Sequence, residues 1–395
     1  DRTLRRRIDR YVDYVARTQM RDGYYNSYFC RVEPRRRWTN LRDLHELYCA
    51  GHLMEAAVAY HEATGDTRFM KVTRRLADHI DRTFGRGRGK KRGYPGHEEI
   101  ELALVKLYRA TGEERYLRLA KYFVDERGRK PHYYDVEARR RGDDPEAIRR
   151  RRGRGGYDYC QAHVPVRAQR DAVGHSVRAM YLYSGMADVA AETGDTELLA
   201  ACRRLFRSVS ERRMYVTGGV GSTRHGERFT HDYDLPNDTA YAETCAAIGL
   251  VFFAQRMLNM DRDRRYADVM ERALYNGVLS GVSLDGRRFF YTNPLAVSPR
   301  TRVPEVHPVT ERQAWFGTAC CPPNIARMLA SLGAYAYSSD AESVWVHLFV
   351  NGSARFGLKG GNVTIEQTTA YPWKDRVRLT VRPDSPGRFT LAVRV

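Results

Sequence analysis

Over most of the chain apolar residues recur at intervals of three and four, the period of an amphipathic helix. In the stretch opening at Gly96 they fall at Leu102, Val105, Leu107 and Tyr108, and in the one opening at Gly174 at Val177, Met180, Tyr181 and Tyr183. These two stretches, and a third opening at Gly51, begin on a Gly-His pair and close on a Thr-Gly-acid turn at Gly112, Gly194 and Gly65. A glycine there takes the left-handed conformation that ends a helix, and the following acid can accept backbone N–H bonds at the start of the next. Second helices are predicted at Thr67 to Phe84, Glu114 to Asp125 and Thr196 to Arg212, which makes each unit a helical hairpin. Further helices are predicted at Leu4 to Gln19, Ala246 to Leu258, Tyr266 to Gly281 and Ile325 to Ala336.

Hairpins in series form an open superhelix or close into a ring. Closure is the expectation here, because in-register Gly-His pairs would set His52, His97 and His175 near the starts of successive inner helices, around one funnel. After Ser343 the pattern changes to alternation, in SVWVHLFV, NVTIEQTTAY, RVRLTVR and FTLAVRV, with turn residues between the runs. The fold class is therefore mainly α, a helical toroid over residues 1–340, followed over 341–395 by the start of an antiparallel β-sandwich. Too few strands are present for a whole sandwich, and Asp1 opens directly on helix, so the expectation is a chain incomplete at both ends. The Arg-rich segment 127–156 interrupts the repeat and reads as a long loop with a short helix of its own.

Charge changes this picture little. The chain carries 67 basic and 48 acidic residues, a net charge of +19 over 395 residues. The excess sits in short clusters such as Arg5 to Arg7, Arg139 to Arg141 and Arg149 to Arg152, without a nucleic-acid-binding motif around them, so it reads as solvated surface. No run of apolar residues approaches the ~18 of a membrane helix. Seven cysteines form an odd number scattered over a long chain, unlike a secreted disulfide framework. A cytoplasmic, reducing location is the expectation. Cys30, Cys49, Cys160 and Cys202 read as small hydrophobes.

The remaining cysteines carry candidate chemistry. Cys320 and Cys321 are adjacent and precede Pro322-Pro323-Asn324. A vicinal disulfide closes a strained ring, whereas two neighbouring thiolates on extended backbone can hold one soft cation, and the prolines argue against helix there. Upstream, Glu243-Thr244-Cys245 puts a carboxylate and a thiol two residues apart, which do not share a helix face. Both can turn to one point only at the irregular start of the helix near Cys245. Three sulfurs and a carboxylate suit tetrahedral zinc. Spacing alone leaves two readings, a closed zinc site that staples the ring and a catalytic one.

HELYCAGH (45–52), YPGHEEIELALVKLY (94–108), GHSVRAMYLYSG (174–185), TGGVGSTRHGERF (217–229), NDTAYAETCA (237–246), MERALYNG (270–277) and CCPPN (320–324) together span most of the chain. In this order they resemble glycoside hydrolase family 127, retaining β-L-arabinofuranosidases. The resemblance implies an (α/α)6 barrel followed by β-sandwich domains. It implies Zn2+ held by Glu243, Cys245, Cys320 and Cys321, with Cys320 also the nucleophile and Glu227 the general acid/base. His45 or His52, His97, His175, Glu271 and Tyr291 would hold the sugar hydroxyls. Zinc would strip the proton from a thiol whose ordinary pKa is about 8.5. Cys320 would then attack the anomeric carbon and form a thioglycosyl intermediate, which water releases with net retention. The implied partner is an arabinofuranosyl carbohydrate, with no nucleic acid or membrane, and a homodimer is left open. The other class of function is a non-catalytic carbohydrate-binding or structural zinc protein on the same fold.

Overall fold

The computed structural model describes residues 1–297 and 311–395. Its helical part is built from hairpins: α1 (Arg2–Thr18), α2 (Glu46–Thr64) and α3 (Arg68–Thr83), α4 (Ile100–Thr111) and α5 (Glu114–Glu126), α6 (Tyr133–Arg141) and α7 (Pro145–Arg149), α8 (Ser176–Thr193) and α9 (Thr196–Arg212), α10 (Thr244–Asp261) and α11 (Arg264–Arg272), then α12 (Cys321–Ala330) and α13 (Gly333–Ala336). Gly65, Gly112 and Gly194 end α2, α4 and α8 at φ of 71°, 70° and 65°. A fourth hairpin, α10–α11, turns on Arg262 at φ 54°. The sequence repeat misses it because no glycine marks that turn.

The two helices of a hairpin differ in burial. In α8 every residue from Ser176 to Ala190 is buried, and in α10 every residue from Thr244 to Ala254. In α9 and α3 only one stripe is. A helix buried all round lies between other helices, and a striped one covers them from outside. The inner helices approach at glycines. A Cβ on Gly51 of α2 would lie 2.9 Å from Ile100 N of α4, one on Gly185 of α8 2.7 Å from Glu101 Cβ, and one on Gly249 of α10 2.7 Å from Met180 Cβ. The order of neighbours is thus α2, α4, α8, α10, with α12 packed on α10. From α12, the partly buried Arg327 reaches back to Glu55 of α2, to Glu99 (3.4 Å) at the start of α4 and to Tyr181 Oη (3.2 Å) of α8, and it lies over the Phe252 ring of α10. Sequential packing with such a return contact is what a toroid of hairpins requires.

Four differences from the sequence reading have local causes. Cys320-Cys321 is not extended: Cys320 caps α12 in α-helical geometry, and the prolines occupy its first turn, where a missing N–H breaks no intrahelical bond. After α11 the chain widens into a π turn at Ala273–Val278 instead of continuing as α-helix to Gly281. The 127–156 segment contains two helices, α6 and α7, not one. The Gly-His pairs are not in register: His175 caps α8 and His97 precedes α4, but His52 lies inside α2, whose cap is His45.

The C-terminal part holds two three-stranded sheets. β1 (Tyr337–Ser339), β2 (Ser343–Val346) and β6 (Thr390–Val393) form one, and β3 (Gly352–Leu358), β4 (Gly361–Thr369) and β5 (Val377–Pro383) the other. The second is antiparallel throughout, as expected, whereas β2 and β6 pair parallel, Val344 opposite Leu391. Val344, Val363 and Ile365 make a small core between the sheets. Arg394 fastens this part to α11 through Asp268 (2.8 Å) and Glu271. No helix among the described residues is long and apolar enough to cross a membrane.

Candidate active site

Two helix starts bring the cysteines together. Glu243 caps α10, with Thr244 and Cys245 opening its first turn, and Cys320 and Cys321 stand at the same place on α12. The ligand atoms of Glu243, Cys245, Cys320 and Cys321 all lie within 4.8 Å of one another. Cys320 Sγ is 3.8 Å from Cys321 Sγ and 3.4 Å from Glu243 Oε1, which is 3.7 Å from Cys321 Sγ. Unpaired N–H groups at a helix start favour negative charge, and here two such starts face one cluster. Glu243, Cys245 and Cys321 are buried, while Cys320 is partly exposed. One sulfur of the three is therefore open to a ligand.

The protons of this group are shared unequally. Thiols of Cys245 and Cys321, then Tyr291 and Glu243, bond to Cys320 and draw it down to about 3 against the opposing effect of burial. Burial and the neighbouring anion drive Glu243 and Cys321 well above their ordinary values, and burial does the same to Cys245. Four acids around one point cannot all ionise without a cation among them. Glu243 Oε2 is buried and has no hydrogen-bond partner, so the group could hold a metal ion with a donor to spare.

Glu227 stands beside this group: its carboxylate, that of Glu243 and the His175 ring nitrogen lie within 4.8 Å of one another. Glu227 has φ 54°, a left-handed conformation uncommon for a residue with a Cβ, and its carbonyl accepts from Ser176 N at 2.9 Å. Strain of this kind costs roughly 1–3 kcal/mol and is concentrated at functional sites. His175 Nδ1 accepts from Val177 N (3.2 Å), so Nε2 carries the proton it directs at Glu227 Oε2, 2.8 Å away. Arg154 Nη2 lies 3.3 Å from the other oxygen. Burial would raise Glu227, but the bond from His175 and the charge of Arg154 outweigh it and hold the carboxyl below its ordinary value.

The histidines form a wall. Ring centroids of His45 and His97 are 5.6 Å apart and those of His97 and His175 5.8 Å, while Tyr48 packs against both His97 (4.3 Å) and His52 (4.4 Å). Burial, then the nearby Arg178 charge, pushes His45 down to about 4 and His97 well below its ordinary value. Both are neutral hydrogen-bonding groups at pH 7. His52 lies about two turns beyond His45 along α2, with Nδ1 3.0 Å from Glu99 Oε1, in the network of Arg327 and Glu55. A guanidinium already takes the place a cation would have among His52, Glu55 and Glu99.

Tyr291 meets the cysteines directly, with Oη 2.9 Å from Cys320 Sγ. Glu271 does not. It bonds Tyr371 Oη (2.8 Å) and Arg394 at the junction with the β part, because its face of α11 turns to that junction. Glu271, expected to hold a sugar hydroxyl, is thus not brought to the cysteines. Tyr48, Arg154 and Arg178 were missed, and only Tyr48 carried a signal, its place three residues after His45 and four before His52 on one helix face. A cleft of the β part lined by Leu358–Val363 and Gly387–Thr390 shares no residue with the site.

The family model for the GH127 β-L-arabinofuranosidase catalytic domain matches residues 1–334, and that for the GH127 middle domain matches residues 343–395. A curated relative, the non-reducing end β-L-arabinofuranosidase of Bifidobacterium longum subsp. longum, is 42% identical over 407 aligned residues, which take in 100% of this chain and 61% of that protein. The chain thus spans about three fifths of the relative's length. Among solved structures, a GH127 β-L-arabinofuranosidase from Geobacillus stearothermophilus T6 is 53% identical with a TM-score of 0.95, covering 100% of this chain and 62% of that one. A second GH127 β-arabinofuranosidase is 39% identical with a TM-score of 0.88, over 100% of this chain and 58% of that one. With one domain model matching residues 1–334 and the other 343–395, the chain belongs to the β-L-arabinofuranosidase family GH127.

Proposed function

We propose that this chain carries the catalytic site of a retaining glycoside hydrolase that releases L-arabinofuranose, or a related pentofuranose, from β-linked glycosides. The two similar enzymes with β-L-arabinofuranosidase in their names support the sugar. The observation that carries the chemistry is the partly exposed Cys320 sulfur, which has buried acids behind it and the Glu227 carboxylate beside the same cluster.

Glu243, Cys245, Cys320 and Cys321 would hold zinc. Tetrahedral zinc with sulfur at about 2.3 Å and oxygen at about 2.0 Å has S–S edges of roughly 3.8 Å and S–O edges of roughly 3.5 Å. The edges of 3.8, 3.4 and 3.7 Å between these ligand atoms fit it. When bound, zinc supplies the positive charge that lets the sulfurs persist as thiolates near neutral pH. Cys320 attacks the anomeric carbon as the bond to the leaving oxygen breaks, and Glu227 gives that oxygen its proton. Glu227 then takes a proton from the water that displaces the sulfur, so two inversions give retention. His175 and Arg154 favour the carboxylate, the form of Glu227 needed in the second step. The first step requires that it take up a proton. Neutral His45, His97 and His175 suit the hydroxyls of an uncharged sugar.

Complete enclosure of three of the four ligands also suits a purely structural metal site. Cys320→Ser separates the readings. On the catalytic reading it lowers kcat on an aryl β-L-arabinofuranoside at least about 10^3-fold, and mass spectrometry after an electrophilic furanoside probe finds the label on Cys320 in the unsubstituted chain only. Undiminished turnover by the variant would sink the covalent mechanism.

A further inference from the structure

Two ligand-bearing stretches 75 or more residues apart meet at this cluster, and one short segment touches both. Tyr291 to Asn293 crosses between the start of α10 and the start of α12. Toward α10, Thr292 pairs with Glu243 in an antiparallel bridge, and the Tyr291 carbonyl accepts from Thr244 N at 2.9 Å. Toward α12, Tyr291 Oη lies 2.9 Å from Cys320 Sγ, and the Tyr291 carbonyl is 3.8 Å from Cys321 Sγ.

Asn293 locks this bracket. Its Nδ2 donates to the Ala242 carbonyl and to Thr244 Oγ1, each at 3.0 Å, and its backbone N donates to Ala242 O at 3.2 Å. Thr244 Oγ1 spends its one proton on Phe290 O at 3.0 Å, so it can only accept from Asn293. The amide orientation follows, since a flipped Asn293 would set its oxygen against the Ala242 carbonyl. These bonds grip the peptide immediately before Glu243, at a turn where Ala242 has φ 40°, left-handed for a residue with a Cβ. Relaxation of that turn would swing the Glu243 carboxylate out of the cluster.

We propose that Asn293, acting through Thr244 and the Ala242 carbonyl, is a positioning residue of the metal site, holding Glu243 and Cys245 in place for the ion before it binds. The inference rests on the metal reading above and adds to it residues that touch neither metal nor sugar. Partners of this kind set metal affinity by fixing the ligands that touch the ion.

The test uses the full chain loaded with zinc, and separately with cobalt. Asn293→Asp keeps the volume but removes both side-chain donors, and Thr244→Val removes the acceptor, while Thr244→Ser retains it. The first two variants release zinc to a chromogenic chelator roughly ten- to hundred-fold faster and shift the ligand-field bands of the cobalt form, and Thr244→Ser restores both readouts. A variant that unfolds is seen in its circular dichroism, and the other then decides. Zinc release and cobalt spectra unchanged in Asn293→Asp and Thr244→Val overturn the proposal. A parent chain that takes up neither metal overturns the metal reading, and this inference with it.

Discussion

Glu227 is pulled two ways, and the balance fixes a pH dependence. Burial favours its protonated form, while His175 and then Arg154 favour the carboxylate. Arg154 comes from the loop after α7, whose backbone is held by the buried Arg42 bonding to Gly155 O at 2.6 Å and to Arg154 O. Arg154→Met therefore lets the Glu227 pKa rise, so that its acid form survives to higher pH. The expected outcome is an alkaline limb of the kcat/KM profile displaced upward in pH, measured on an aryl β-L-arabinofuranoside; a limb that stays put or moves down would remove Glu227 as the acid. The metal-competent group of Glu243, Cys245, Cys320 and Cys321 was legible as residue types because thiols in such pairs are rare in a chain without disulfides. Asn293, Arg154 and Arg178 were not, because an amide and two guanidiniums are ordinary anywhere until their partners are known.

The hairpins depend on close approach between inner helices. At Gly51 an added Cβ would meet Glu99 Cγ at 2.8 Å, and Ile100 N at 2.9 Å and Cα at 3.0 Å. Alanine would gain up to about 1 kcal/mol of helix propensity. The overlap is with backbone, which no side-chain rotation relieves, and overpacking costs about 1–3 kcal/mol, so overlap wins. Gly51→Ala is expected to lower the melting temperature by a few degrees in calorimetry; a stabilised variant would mean that α2 and α4 are further apart. The same packing explains which elements could be read from sequence. Helices with a glycine stop were legible as repeats, whereas α10–α11, turning on Arg262, was legible only as two separate helices. β1 and β3 escaped the strand expectation: one is three residues long, and the other alternates with small residues and little burial.

Across the molecule, Arg327 ties α12 back to α2, α4 and α8. It joins Glu55, Glu99 and Tyr181 from α12, the helix that begins with the two cysteines, and both carboxylates are buried. Lys106 also reaches Glu55, at 3.1 Å, and Glu99 is also met by His52 Nδ1, at 3.0 Å. Removing one partner of a buried ion pair costs about 3–5 kcal/mol. Arg327→Met is expected to lower stability by about that much, read from the midpoint of urea unfolding, and an unchanged midpoint would show that α12 is not anchored there.

What the sequence by itself determined was periodic or chemically marked: helices from their apolar spacing, hairpin ends from Gly65, Gly112 and Gly194, strands from alternation, and a metal-competent donor set from Glu243, Cys245, Cys320 and Cys321. Only the tertiary structure decided the alignment of those parts. It moved His45 rather than His52 into line with His97 and His175, sent Glu271 to Arg394, started a helix at Cys321 and laid Asn293 behind Glu243. The reason is that periodicity records which face of an element is buried, whereas the partner of a side chain depends on where another element, distant in the chain, comes to rest.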